Sequence, residues 1–224
     1  MTFTEILYTG KAVPMFAYVT LTLLAFFVLM RNPRAPLNRI FFFLAMVSSF
    51  WNVAMFLVLG SQTPEEAATN WKLYELAVLL LVPTWVSFAL RFAGKSVAPS
   101  LVYAPSMAFV PLLFFTDLLF KGVTHDGAFY YEVNGGTMFA VYSLYILSYI
   151  LYGLYKLVGA YFYSAAEDRM RIKWVTGGIG VVVLTGSIDT LLSLSGATVL
   201  PIAPATSLIA VAAIAYSFTV GESA

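Results

Sequence analysis

The chain has 224 residues, of which 61% are apolar, 17% aromatic and 10% charged, and its formal net charge is +1. A soluble domain carries about 45–50% apolar and about 25% charged residues, and at this length much of its surface still faces water. The composition therefore excludes a soluble enzyme, a disordered chain and a nucleic-acid binder, and leaves an all-α membrane protein.

Seven apolar stretches are long enough to cross about 30 Å of hydrocarbon at about 1.5 Å per residue. They lie near 12–30, 39–60, 72–93, 99–120, 137–162, 172–195 and 199–220 and make a single domain over 1–224. The breaks carry turn chemistry: Asn32-Pro33-Arg34-Ala35-Pro36, Gly60 to Pro64, Gly94 to Pro99, Asn134-Gly135-Gly136, and Ser195-Gly196 before Pro201. The first span is too long for a signal-peptide core and is followed by Arg31 and Arg34. The longest polar stretch runs from Lys121 to Gly136 and reads as a loop.

Basic residues orient the bundle. The loops after spans 1, 3 and 5 hold Arg31, Arg34, Arg39, Arg91, Lys95, Arg169, Arg171 and Lys173, with Lys156 reaching the same side from span 5. The opposite side holds Lys11, Lys72 and Lys121 beside Glu5, Glu65, Glu66, Asp126 and Glu132. The expected bundle has seven transmembrane helices, with its N-terminus outside and its C-terminus cytoplasmic.

Seven helices alone do not name a function. A retinal protein needs a Schiff-base lysine in its last span, and residues 199–220 contain none. The acidic-Arg-aromatic and Asn-Pro boxes of G-protein-coupled receptors have no counterpart in the required spans: Glu167-Asp168-Arg169 precedes span 6 and Asn32-Pro33 follows span 1. The chain has no cysteine, and its one histidine, His125, falls in the polar loop, so thiol chemistry and histidine-rich metal or haem sites are not expected. No catalytic constellation, metal site or cofactor is expected.

Asn38-Arg39 leading into Phe41 and Trp51 resembles the second helix of the N-terminal seven-helix sensor region of bacterial histidine kinases. Trp71-Lys72-Leu73 with Pro83 and Phe88 looks like that family's third helix. Arg169-Met170-Arg171 running into Trp174, Gly177 and Gly178 is similar to its basic hinge and sixth helix. Pro201, Pro204 and Ala213-Ile214-Ala215-Tyr216 resemble the final helix. The resemblance implies a sensor in the bacterial cytoplasmic membrane, part of a two-component system. In that family the seventh helix leads into a phosphoacceptor histidine and an ATP-binding domain, whereas this sequence stops at Gly221-Glu222-Ser223-Ala224. The expectation is either a fragment of a longer sensor or a stand-alone relative working through partners.

Ionisable groups within a bilayer are functional candidates. Glu75, Asp117 and Asp189 fall at a similar outward depth in spans 3, 4 and 6 and could converge on one outer pocket. Lys72 at i−3 from Glu75 and Lys121 at i+4 from Asp117 offer local partners. Asp189 has no basic residue after Lys173 and so no charged partner on its own helix or the next, although Thr185 and Ser193 flank it and Gly186 and Ser187 adjoin it. Tyr142, Tyr145, Tyr149 and Tyr152 form one stripe of span 5, read as a packing seam or a cavity wall. Trp51 and Trp85 fall near mid-span as packing or as apolar pocket walls, while Trp71 and Trp174 read as anchors at span ends. Gly177, Gly178 and Gly180 permit close helix approach, and Pro83, Pro105, Pro111, Pro201 and Pro204 kink or open helices. The run from Glu167 to Lys173 reads as a solvated loop, or as a cytoplasmic contact through Arg169, Arg171 and Lys173.

The expected function is a membrane sensor that detects a small apolar or amphipathic ligand, or a membrane state, and relays it to a cytoplasmic output. The alternative is an integral subunit that assembles within a larger membrane complex. The expected partners are the bilayer, the apolar ligand, an output domain or complex subunits, and a second copy of the chain.

Overall fold

A computed structural model describes residues 11–125, 131–194 and 202–218. Expectations placed on Glu5, Asp126, Ser195, Gly196, Pro201 and 221–224, and on the side chains of His125, Glu132, Glu167 and Ser193, lie outside the described residues.

The described residues form seven helices and one hairpin: α1 (Ala12–Arg31), α2 (Pro36–Gly60), α3 (Pro64–Phe92), α4 (Pro99–Phe115), β1 (Phe120–His125), β2 (Tyr131–Gly135), α5 (Phe139–Tyr163), α6 (Ala166–Leu194) and α7 (Ala203–Ser217). Five of them, α1, α2, α3, α5 and α6, are long and apolar enough to cross a membrane. The apolar helices α4 and α7 have 17 and 15 residues, or about 26 Å and 22 Å at about 1.5 Å per residue.

Local chemistry moved several boundaries away from the hydropathy pattern. Helix α3 begins at Pro64, a full two turns before the expected 72. The Thr63 side chain accepts from Glu66 N–H, and Glu66 Oε2 accepts from Gln62 N–H at 2.8 Å, a variant of the capping box. Trp71, expected at a span end, is consequently internal and buried, with its ring 4.8 Å from that of Tyr74. The same helix stops at Gly94, whose φ of +73° suits a residue without Cβ and lets Lys95 N–H reach Leu90 C=O at 2.8 Å.

Helix α4 ends at Phe115, short of the expected 120, because Thr116 turns extended. The residues that follow were expected as part of a span and then a loop, but β1 and β2 pair antiparallel with a register irregularity between Phe120 and Gly122. The run from Glu167 to Lys173 is not a loop either: α6 starts at Ala166, and only Ser164 and Ala165 separate it from α5. Asp168 then sits in the first turn, where the helix dipole favours an acid.

Helix α3 packs against α2, α4, α5 and both strands, while α7 packs against α6, α1 and α2. One large apolar cluster, including Leu21, Phe41, Phe88, Leu157 and Ile214, fills the end where the basic loops lie. A second, with Met55, Trp71, Leu79, Leu113, Phe120 and Tyr142, fills the end capped by the hairpin. Trp51, Ala77 and Ala203 form a small cluster joining α2, α3 and α7. Polar bonds tie neighbours together within this apolar mass: Thr22 to Ser49 at 2.8 Å, Asn38 to Val28 C=O at 3.0 Å, and Thr84 to Tyr103 at 2.7 Å. Such bonds matter where lipid offers no competing partner.

Candidate functional site

The tyrosine stripe of α5 faces α3 and α4, and its hydroxyls find partners one after another along the helix. Tyr142 O–H donates to Glu75 Oε2 at 2.6 Å. Tyr145 and Ser106 share a short hydroxyl–hydroxyl bond, and Tyr149 O–H donates to Val102 C=O at 3.3 Å. Phe109 of α4 stacks between the first two, with ring centroids 5.6 Å from Tyr142 and 5.1 Å from Tyr145. Tyr152, the last of the stripe, is exposed and carries the Lys156 ammonium 5.0 Å above its ring.

Glu75 and Tyr142 border a small void of about 10 Å³ with Leu79, Leu113, Leu119, Phe120 and Phe139. That is room for about one water. The hairpin supplies Phe120 as its roof, and Lys72 lies with Nζ 5.7 Å from the Phe120 ring centroid. Lys72, expected to pair with Glu75, thus makes a cation–π contact with the hairpin.

The three carboxylates meet different surroundings. Glu75 lies inside the bundle on the α3–α5 seam, and Asp117 is exposed in the turn after α4. Asp189 Oδ2 accepts from the N–H groups of Ile202 and Ala203 at 2.9 and 2.8 Å, at the start of α7. From the sequence, the partner of Asp189 was expected to be Lys72, Lys121 or a tyrosine hydroxyl of another span, or a bound ligand, unless the carboxyl is protonated. Two backbone donors at a helix N-terminus hold it instead, with the helix dipole adding to the attraction. Thr185, one turn earlier on α6, bonds Thr206 of α7 at 2.8 Å.

Asn52 on α2 was missed by the sequence argument, although a lone amide within the apolar stretch 39–60 was a usable signal. It is fully buried, and the two N–H of its Nδ2 are shared among Ser48 C=O at 2.9 Å, Pro204 C=O at 3.0 Å and Ser207 Oγ at 3.0 Å. Those two carbonyls fix which end of the amide carries the nitrogen. The first turn of α7 is therefore held from two sides, by Asp189 of α6 and by Asn52 of α2. Three buried polar atoms around it, Asn52 Oδ1, Asp189 Oδ1 and Trp51 Nε1, have no hydrogen-bond partner among the described residues.

Trp51 packs in the Ala77–Ala203 cluster, with its ring 5.7 Å from that of Tyr74. Trp85 lines a cavity of about 70 Å³ between α2, α3, α5, α6 and α7, and its Nε1 lies 3.5 Å from Ile150 C=O. Gly153 allows this contact, because a Cβ there would overlap Trp85 Nε1 and come within 2.8 Å of Cε2. Of the three α6 glycines, Gly178 is the one in close approach, where a Cβ would lie 2.9 Å from Ala213 Cβ; Gly177 and Gly180 face open space.

At the basic end, Arg169 and Lys173 both lie over Tyr161, at 5.8 and 5.9 Å from its ring centroid. Arg169 Nε also donates to Ser164 C=O at 3.0 Å, and Arg171 pairs with Asp168 at 3.7 Å. Trp174 is half-exposed and packs edge-on to Tyr216 of α7, with centroids 4.9 Å apart. The described residues contain no group of three or more His, Cys, Asp or Glu that could hold a metal ion.

The sequence model of one protein family, described as the N-terminal 7TM region of histidine kinase, matches residues 13–222. No curated protein matches the chain.

Proposed function

The chain belongs to the family of N-terminal 7TM regions of histidine kinases, a membrane sensory domain, and on that premise we propose how it senses and where it transmits. The stimulus is read inside the bundle and biases how α6 and α7 pack. The change then passes to a cytoplasmic kinase output at the end carrying Arg169, Arg171 and Lys173.

The observation that carries this reading is the double hold on α7. Its first turn is bonded to Asp189 of α6 and to Asn52 of α2, and buried polar atoms with unused capacity surround it. In this reading those atoms serve a second packing of α7, as a two-state element requires. A ligand or membrane state moves it only by favouring one state over the other. Glu75 and the tyrosines of α5 form the second part of the proposed sensing interior, with Trp51 and Trp85 as its aromatic walls and Asp117 at the outer rim. Placement of the basic residues supports an N-terminus outside and a C-terminus in the cytoplasm of a bacterial cell. A second copy of the chain is a further proposed partner.

The test reads phosphorylation of the coupled kinase in native membranes for the wild type, Glu75→Gln and Asp189→Asn at equal expression. The proposal expects the stimulus response to be lost in both variants while the proteins remain in the membrane. A normal response from both overturns it.

A further inference from the structure

We infer that Arg169 and Lys173 clamp the phosphate of an anionic phospholipid in the leaflet at the basic end, with one of its chains laid along α6. Both side chains are exposed, one turn apart on α6, and both converge on the Tyr161 ring of α5, at 5.8 and 5.9 Å from its centroid. Like charges at this spacing repel. Neither has an acidic partner among the described residues, where the ion pair at this end joins Arg171 to Asp168. Arg169 is also held in place, since its Nε donates to Ser164 C=O at 3.0 Å. Two cations gathered at one ring without a counter-charge call for an anion between them, and a phosphate offers acceptor oxygens to both.

The rest of this helix face selects a lipid as the source of that phosphate. The stretch of α6 long and apolar enough to cross a membrane runs from Asp168 to Asp189, so the two cations stand at headgroup level. Toward the membrane centre on the same face, at spacings of 4, 4 and 3, Arg169 and Lys173 are followed by Gly177 and Gly180. A Cβ at either glycine would meet nothing within 4 Å, so the two floor a shallow open track. From Arg169 to Gly180 the helix rises about 16 Å, close to half of the hydrocarbon thickness of about 30 Å. A phosphate with an acyl chain beneath it matches both parts, whereas a free anion or a soluble protein leaves the track bare. A second copy laid on the glycines about a two-fold axis would set each cation against its own counterpart. A zwitterionic headgroup brings an ammonium of its own toward the clamp, so a lipid of net negative charge fits better.

This site goes beyond the sensor reading and does not rest on it, since binding is measured on the chain alone. The intact chain, stripped of lipid in micelles, is titrated with phosphatidylglycerol and separately with phosphatidylcholine of the same chains, and bound lipids are counted by native mass spectrometry. The first phosphatidylglycerol is expected to bind more tightly than phosphatidylcholine. Arg169→Gln and Lys173→Gln should each weaken it about fivefold, which corresponds to about 1 kcal/mol per basic residue near the surface. Lys173→Gln leaves the Arg169 bond to Ser164 intact and serves if the other variant disturbs the link. Arg34→Gln and Lys95→Gln remove the same charge elsewhere at this end and should leave that affinity unchanged. Gly177→Leu, which fills the track without touching either cation, should weaken binding too. Equal affinity for the two lipids overturns the inference, and so does equal weakening by all four charge variants, which would mean diffuse attraction to the basic end. Displacement of the lipid by inorganic phosphate would assign the clamp to a soluble anion, and unchanged binding in Gly177→Leu would remove the chain from the track; either overturns it. A disulfide formed between two Gly177→Cys chains in native membranes would put a second copy on this face and overturn it as well.

Discussion

Glu75 and Tyr142 are worth more as a pair than either is alone. Removing the phenol O–H in Tyr142→Phe leaves a carboxyl in apolar surroundings with one hydrogen bond fewer, at a cost of about 1–3 kcal/mol. Replacing both groups, in Glu75→Leu with Tyr142→Phe, should recover much of that loss, because no polar atom is then left without a partner. Thermal unfolding of the purified chain in micelles checks both outcomes, and a double variant less stable than Tyr142→Phe would contradict this account. Asp189→Ala removes the acceptor for two N–H groups of α7 and should cost about 1 kcal/mol, as loss of a helix cap does. Its clearest sign would be faster amide exchange at Ile202 and Ala203. Sequence singled out Glu75, Asp189 and the tyrosines because charge and phenol are conspicuous among apolar neighbours. It could not pair them, since Glu75 and Tyr142 are 67 positions apart. Asn52 carries no charge and no ring and so does not stand out in the sequence, yet an amide needs partners in a bilayer just as a carboxylate does.

Helix contacts make a different kind of prediction, in which position along one glycine-bearing face decides the sign. Gly178→Ala forces α6 off Ala210 and Ala213 of α7 and should destabilise the bundle. Gly177→Ala and Gly180→Ala meet nothing within 4 Å and should be neutral or gain up to about 1 kcal/mol from helix propensity. Gly153→Ala drives a Cβ into the rigid Trp85 indole and should be among the most damaging single-methyl additions in the chain, which melting temperatures across the four variants would rank. Sequence showed that small residues were gathered on α6 but not which of them faced a neighbour, because that depends on helix rotation. It placed helix centres well and helix ends poorly. Hydropathy does not register the Thr63–Glu66 cap that lengthens α3, or the Thr116 turn and strand pairing that shorten α4.

For the whole molecule, composition sufficed to put the chain in a bilayer, and seven helices follow from the spacing of its turn residues. The interior was not legible, because a cavity arises from imperfect closure among five helices that no local pattern encodes. Orientation is open to a direct check, helped by the absence of native cysteine. Single variants Lys95→Cys and Asp117→Cys should be labelled by a membrane-impermeant maleimide from opposite faces, with Asp117→Cys reached from outside the cell. Labelling of Lys95→Cys from outside would reverse the assignment. The two-residue link between α5 and α6 has a mechanical consequence. Ser164 C=O takes the Arg169 guanidinium, and Ala165 C=O takes the Arg169 N–H at 2.9 Å, so the link has no slack and acts as a fulcrum. Helix α6, with 29 residues, is about 43 Å long. One degree of tilt about that fulcrum sweeps its far end through about 0.8 Å. Asp189 rides near the far end, so small adjustments at the basic link are magnified where α7 begins, and the lever works equally well in reverse.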